Sequence, residues 1–381
     1  MMRRCCMLLS TAVLAMAAPP GVASDGYRVE PATELARDSV AELVFELERE
    51  IATDQEGVIL PAGVASMQLA LVSGRIVVGP THDRNILVLD ERDRPVGAVG
   101  RPGEGPGEFP GAPWALDATR GGEVVALHRN RVTRIDPERA EIISQVSLPR
   151  VVSRLVVLGS EGFAAIVGPD LSGAAPPGLA PSVAFFDADG EVQGAAELPD
   201  LTPGAASPEV AALDAMRILA ASSRGAVWAA PVRPYQLDLV ARDGTVLQSI
   251  RREVSWFPPL ARDDGRSSLE RPPNPQIMDI REDGEGRIWV AIWVASRDWA
   301  PMPLPDTPPL PWAPPPFEPS SIFDTVIEVL DPESGALLAQ GRSPHPLRFA
   351  SGDDGFVWAP LGVTSVDPTI GVWSVRLGER R

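Results

Sequence analysis

Few residues in this 381-residue chain have types that do chemistry. Three histidines occur, His82, His128 and His345. Three imidazoles can hold a catalytic zinc that keeps an open coordination position, but none of these sits in a ligand-spaced motif. Asp83, Glu104 and Glu108 offer oxygen ligands of the kind calcium takes, without the alternating acidic spacing of an EF-hand loop. No G-x-S-x-G elbow marks a serine nucleophile. Paired carboxylates are so common in this acidic chain that they single nothing out. The expectation is therefore no cofactor and no catalytic residue, with a divalent metal on the three histidines as the rival. The Gly-rich run Gly100-Arg-Pro-Gly-Glu-Gly-Pro-Gly-Glu-Phe109 is not a phosphate cradle. It lacks the Lys-Ser/Thr ending, and no helix-forming segment follows. Pro106 removes a donor, and Glu104 and Glu108 would repel an anion.

Composition sets outer bounds. Arg3 and Arg4 precede a nearly continuous apolar run, Met7 to Ala18, and then small residues at Val22 to Ser24. This reads as a secretory signal over residues 1–24, too short and wrongly flanked to span a membrane. The expected location is periplasmic or extracellular. Cys5 and Cys6 are the only cysteines and both fall in that segment. The mature chain is expected to fold without disulfides or thiolate metal sites. The formal charge is −17 and becomes −19 once Arg3 and Arg4 are removed. Nucleic acid is a poor partner for such a field. No later stretch is apolar for long enough to cross a bilayer. The 41 prolines, about twice the usual ~5% share, favour short strands joined by loops.

The elements that must position any site come from a repeat. Six times a glycine is followed by one residue and a short apolar run, beginning at Gly74, Gly122, Gly162, Gly225, Gly286 and Gly355. A glycine suits a tight turn with positive φ. The third position after it is Trp in three copies, Trp228, Trp289 and Trp358, placed to fill space between neighbouring sheets. Most copies are followed by an apolar strand ending in Asp at a turn, as at Asp90, Asp136, Asp187 and Asp331. An Asp there can accept bonds from its own turn backbone. One more strand leaves each turn, and another precedes each glycine, such as Trp114-Ala-Leu-Asp and Ile277-Met-Asp-Ile. Four short strands per unit at ~40–50 residues are the signature of a β-propeller. The predicted fold is all-β: a six-bladed β-propeller of four-stranded antiparallel blades over residues 58–381. The N-terminal segment 25–57 includes Leu43-Val-Phe-Glu-Leu-Glu48, which fits either the closing strand or a helix.

The run Asn85-Ile-Leu-Val-Leu-Asp, its following strand and the Gly-Arg-Pro-Gly-Glu-Gly-Pro-Gly-Glu-Phe connector resemble the bacterial, exported six-bladed β-propeller proteins with NHL-like repeats. The resemblance is strong from Gly74 to Asp117 and weaker, though in phase, to Leu377. It implies a binding or interaction module. Some propeller lyases and lactonases hold metals at the channel mouth, which gives the histidine reading its enzyme class.

Sorted by strand, the long insertions gather on one face: the connector itself and residues 168–181, 199–214, 254–276 and 295–321. The last is Pro-rich and favours the stiff polyproline II form. Loops on a rigid scaffold are where binding usually sits. The binding residues predicted on this basis are Glu104, Glu108, Trp256, Trp299, Trp312 and Phe317. The expected partner is a peptide, a glycan or a cell-envelope protein, met by a monomer.

Overall fold

The computed structural model describes residues 40–378, apart from 53, 56–57, 60–66, 80–84, 120, 160–161, 168–181, 199–215, 258–269, 303–316 and 366. Among the described residues the chain is all-β, with one short 3-10 turn at Pro319–Ser321 and no α-helix. Its sheets stand around a channel in a propeller-like arrangement.

After β1 (Ala41–Ala52) and a two-residue ladder, β2 (Asp54–Gln55) with β3 (Val58–Ile59), the chain runs through successive antiparallel meanders. The first is β4 (Gln68–Val72), β5 (Arg75–Gly79), β6 (Ile86–Leu89) and β7 (Pro95–Val99). The second is β8 (Ala115–Ala118), β9 (Val124–His128), β10 (Arg131–Asp136) and β11 (Glu141–Ser147). The third is β12 (Val152–Val157), β13 (Gly162–Val167), β14 (Ser182–Asp187) and β15 (Val192–Glu197). The fourth is β16 (Arg217–Ala221), β17 (Val227–Pro231), β18 (Gln236–Val240) and β19 (Val246–Arg251). Then come β20 (Gln276–Glu282), β21 (Ile288–Ala295), β22 (Phe323–Leu330) and β23 (Leu337–Ser343), followed by β24 (Arg348–Phe349), β25 (Ser351–Gly352), β26 (Phe356–Leu361) and β27 (Thr369–Leu377).

Six separate four-stranded sheets were expected, and the hydrogen bonding is different. Besides the two-stranded β2–β3 ladder, three sheets among the described residues have four strands, one has five and one has eight. The eight-stranded sheet runs β20-β21-β22-β23-β1-β27-β26-β24. Its joint is a short parallel ladder, Ala41↔Ala339 and Glu42↔Gln340, between β1 and β23. From Leu43 onward β1 turns away and pairs antiparallel with β27. The five-stranded sheet arises because β25 adds to β4 in parallel, Ser351↔Ala70 and Gly352↔Leu71. These two ladders tie chain ends and sheet edges together, leaving fewer unpaired edges. Arg49 of β1 strengthens the tie. It donates to the carbonyls of Gly74 at 3.0 Å and Asp90 at 2.9 Å, and to the Asp93 carboxylate.

The repeat features take up the geometry their residue types allow. The six marker glycines all have positive φ, from 70° at Gly225 to 146° at Gly162. At Gly162 a Cβ would lie 2.0 Å from the Phe186 carbonyl oxygen, so only glycine fits without a shift. Asp90 accepts from the backbone N–H of Arg92 and Arg94, and Asp331 from that of Glu333 and Ser334. The Arg94 guanidinium, with these backbone donors, holds the Asp90 carboxyl down at about 2.

The three register tryptophans fill inter-sheet cores. Trp228 packs between the fourth meander and β20–β22, and Trp358 between β26–β27 and the first meander. Trp289 packs with Val357, Trp373 and Val375, so the two halves of the eight-stranded sheet also face each other across apolar side chains. The sheets line the channel with their first strands: β4, β8, β12, β16, β20 and the β24–β25 pair lie side by side in that order, and β25 closes back on β4.

Candidate functional site

The connector is a self-contained loop. Phe109 N–H donates to the Arg101 carbonyl at 2.7 Å, and Gly103 N–H to the Phe109 carbonyl at 3.0 Å. The Glu108 carboxylate accepts from Gly105 N–H at 2.8 Å and from Arg101 Nε at 3.0 Å. The Gly105 donor, with Arg101 beside it, holds the carboxyl below the ordinary range. From the second meander, the Arg131 guanidinium clamps the carbonyls of Glu104, Gly105 and Glu108 at 3.0–3.3 Å. Gln145 accepts from Gly107 N–H at 2.8 Å. Phe109 is fully buried in the core between the first two meanders. At Gly100, φ is +82° and a Cβ would lie 2.1 Å from the Phe109 ring. The Glu108 carboxylate is thus spent on the loop itself, and Glu104 is anchored through its backbone with its side chain outward.

The aromatic candidates are dispersed. Trp256 lies against the core between the fourth meander and β20–β22, edge-on to Phe257. Trp299 sits in the turn after β21, its N–H bonded to the Ser296 carbonyl at 3.1 Å. Phe317 is half-buried just ahead of the 3-10 turn. Trp312 lies outside the described residues, as do His82, Asp83 and most of the long insertions.

The other two histidines do not meet. His128 belongs to strand β9. It is completely buried, stacks on Phe109 with ring centroids 3.9 Å apart, and sets Nδ1 3.2 Å from the Gly111 carbonyl. Burial drives its pKa down to about 4, so it is neutral at physiological pH. His345 stacks instead on Trp373. No group of three or more His, Cys, Asp or Glu placed to hold a metal occurs among the described residues.

A different set of residues converges where no sequence motif pointed. The first strands enclose a cavity of about 930 Å³ that reaches the short turns at Ser73, Gly122, Gly225, Gly284 and Asp354. None of Glu104, Glu108, Trp256, Trp299 or Phe317 lines it. Its wall carries Asp117 on β8, Arg154 on β12, Asp279 and Arg281 on β20, Arg348 on β24 and Ser351 on β25.

The acids on this wall are supplied with donors. Asp117 accepts from Val157 N–H at 2.6 Å, Ala118 N–H at 2.9 Å and the Ser351 hydroxyl. Asp279 accepts from Ile280 N–H at 3.0 Å and Phe349 N–H at 3.1 Å. Asp353 takes Ser73 and Gly74 N–H, both at 3.4 Å, and Glu282 takes Ser223 N–H and Trp228 Nε1–H, both at 2.7 Å. Arg281 pairs with Asp354 and donates to the carbonyls of Ala350 and Gly352. The bonds from Asp117 to Val157 and Ser351, from Asp353 to Ser73 and Gly74, and from Glu282 to Ser223 and Trp228 run from one sheet to the next and fasten the ring around the cavity.

Arg154 and Arg348 differ from their neighbours. Among the described residues no hydrogen bond or ion pair reaches either guanidinium. Arg348 lies 5.5 Å from the Trp293 ring centroid, a cation–π contact that leaves its N–H edges unused. Burial, with the Arg154 charge beside it, lowers its pKa to about 10 against an opposing pull from Asp279. Arg154 is pushed down by burial against the same Asp279. Asp279 is raised to about 6 by burial, which outweighs both arginines. The three side chains share one electrostatic site with two cations to one anion. The signal in the sequence was faint: a lone charge inside an apolar strand, as in Val151-Val-Ser-Arg-Leu-Val-Val157.

No family model matches this sequence, and no curated protein matches it. Solved structures do match in shape. A protein of Bacteroides fragilis described as exported aligns over 88% of this chain and 96% of its own, with TM-score 0.54 and 12% identity. A member of the DUF4221 family from Bacteroides vulgatus aligns over 89% and 99%, with TM-score 0.55 and 10% identity. Virginiamycin B lyase of Staphylococcus aureus aligns over 87% and 99%, with TM-score 0.42 and 11% identity. At these identities the likeness extends to the fold alone. It supports a propeller-like fold and reaches neither the NHL-like repeat nor the connector.

Proposed function

We propose that this chain is an exported binding module, a six-bladed β-propeller that takes its ligand in the central channel. The observation that carries the reading is the cavity of about 930 Å³ enclosed by the first strands of every meander. That volume suits a small molecule or the end of a peptide or glycan. Six blades are supported by the six glycine-led units and by the apolar layer that divides the eight-stranded sheet into two four-stranded halves. On this count residues 25–57 give the closing strand and residues 58–381 the rest of the ring. Export rests on the signal-like residues 1–24, together with the description of the Bacteroides fragilis neighbour. No helix among the described residues is long and apolar enough to cross a membrane. The periplasm or cell exterior is the proposed location, and a monomer the proposed state. The histidine-based enzyme gains no support, because His128 and His345 are held by different cores.

The test is thermal denaturation of the mature protein against amino acids, short peptides and oligosaccharides. Compounds that raise Tm should lose their effect in Met278→Trp, which enlarges a side chain on the channel wall. Hits that survive Met278→Trp unchanged would place binding elsewhere.

A further inference from the structure

We infer that Arg154 and Arg348 form a receptor for a carboxylate group within the channel. The inference deepens the channel-binding reading and rests on it. Three observations carry it. Both arginines line one cavity. Neither guanidinium has a protein acceptor among the described residues. Asp279, the carboxylate whose charge acts on both, already accepts two backbone N–H bonds.

A guanidinium presents five donors in a planar fork that matches a carboxylate edge. Proteins seldom leave such a group part-buried without an acceptor, since the desolvation is then uncompensated. Here the shortage is one-sided. Asp117, Glu282 and Asp353 on the same wall have at least two donors each. A ligand oxyanion supplies what the wall lacks, and an amine would find every carboxylate occupied.

Charge selects the kind of oxyanion. Two arginines against Asp279 leave one uncompensated positive charge when Asp279 is ionised, which a singly charged carboxylate neutralises. Phosphate at neutral pH carries more negative charge and would face Asp279 together with Glu282, Asp283, Asp353 and Asp354 at the turn end of the cavity. The expected ligand therefore carries a single carboxylate that lies between β12 and β24, with its less charged remainder towards the turns. A peptide C-terminus and an acidic sugar both present this chemistry.

The experiment titrates the full mature chain with sodium acetate and with sodium phosphate, each against sodium chloride at matched ionic strength, and reads Tm. Acetate should give a saturable rise of about 2–4 °C that chloride does not. The midpoint should shift at least tenfold upward in Arg154→Met and in Arg348→Met, while both variants keep the wild-type far-UV spectrum and melt cooperatively in chloride. No acetate effect, or one that persists in the Arg154→Met/Arg348→Met double variant, overturns the inference. A rise with phosphate and none with acetate overturns the carboxylate assignment. The same peptides, amino acids and oligosaccharides are then run on Met278→Trp. Hits that fail there yet bind the double variant normally would sink the arginine receptor and leave channel binding standing. Hits indifferent to Met278→Trp would sink both.

Discussion

The connector and the channel wall are the two places where charges gather, and they use them in opposite ways. In the connector, the Glu108 carboxylate and the surrounding carbonyls meet Arg101, the Gly105 N–H of the loop, and the Arg131 and Gln145 side chains of the second meander. In the channel the acids are equally well supplied, but Arg154 and Arg348 have no acceptor among the described residues. The difference separates polar groups that hold a fold from polar groups that wait for a ligand. A satisfied network is structural however conspicuous its sequence, and an unsatisfied one inside a cavity is a binding hypothesis however plain its sequence.

The contrast can be broken by substitution. The largest effect is expected at Phe109→Ala, which empties a fully buried site between two sheets. Truncations of this kind cost about 3–5 kcal/mol, read from denaturant unfolding. A cost below ~1 kcal/mol would mean the connector does not plug the ring. Next is Asp117→Ala, which strips the acceptor from Val157 N–H, Ala118 N–H and Ser351. Leaving such donors unmade costs about 1–3 kcal/mol.

Arg154→Met should move the other way in ligand-free protein. Removing a part-buried cation without an acceptor leaves stability unchanged or slightly higher, and a marked loss would reveal a structural bond the account denies. A separate effect is on pH dependence. His128 has its folded pKa near 4, below its ordinary 6.5, so the native state binds fewer protons than the unfolded state between those values. Its contribution is complete above pH 6.5 and is lost as pH falls towards 4. His128→Leu should therefore show a shallower fall in stability across that window. An unchanged slope would mean His128 titrates normally.

Much of the fold was legible because its punctuation is local. A glycine that must take positive φ and an Asp that caps its own turn can be read within a few residues, as Gly74 and Asp90 show. The fusion of two meanders into one eight-stranded sheet was not legible. It depends on Ala41 and Glu42 meeting Ala339 and Gln340, far apart in the chain, with nothing in either segment to announce a parallel ladder. The site was less legible still. Glu104 and Glu108 stood out because they interrupt a Gly-Pro run, yet their setting is the loop's own architecture. Arg154 and Arg348 come from β12 and from a two-residue strand, and only closure of the ring brings them near Asp279. Convergence of this kind lies in the radial order of the sheets, which no single window of sequence contains.

The most direct test sets the two regions side by side in the acetate titration. The account predicts that Glu108→Gln keeps the acetate-dependent rise in Tm while the Arg154→Met/Arg348→Met double variant loses it. A rise that vanished in Glu108→Gln and survived in the double variant would contradict it.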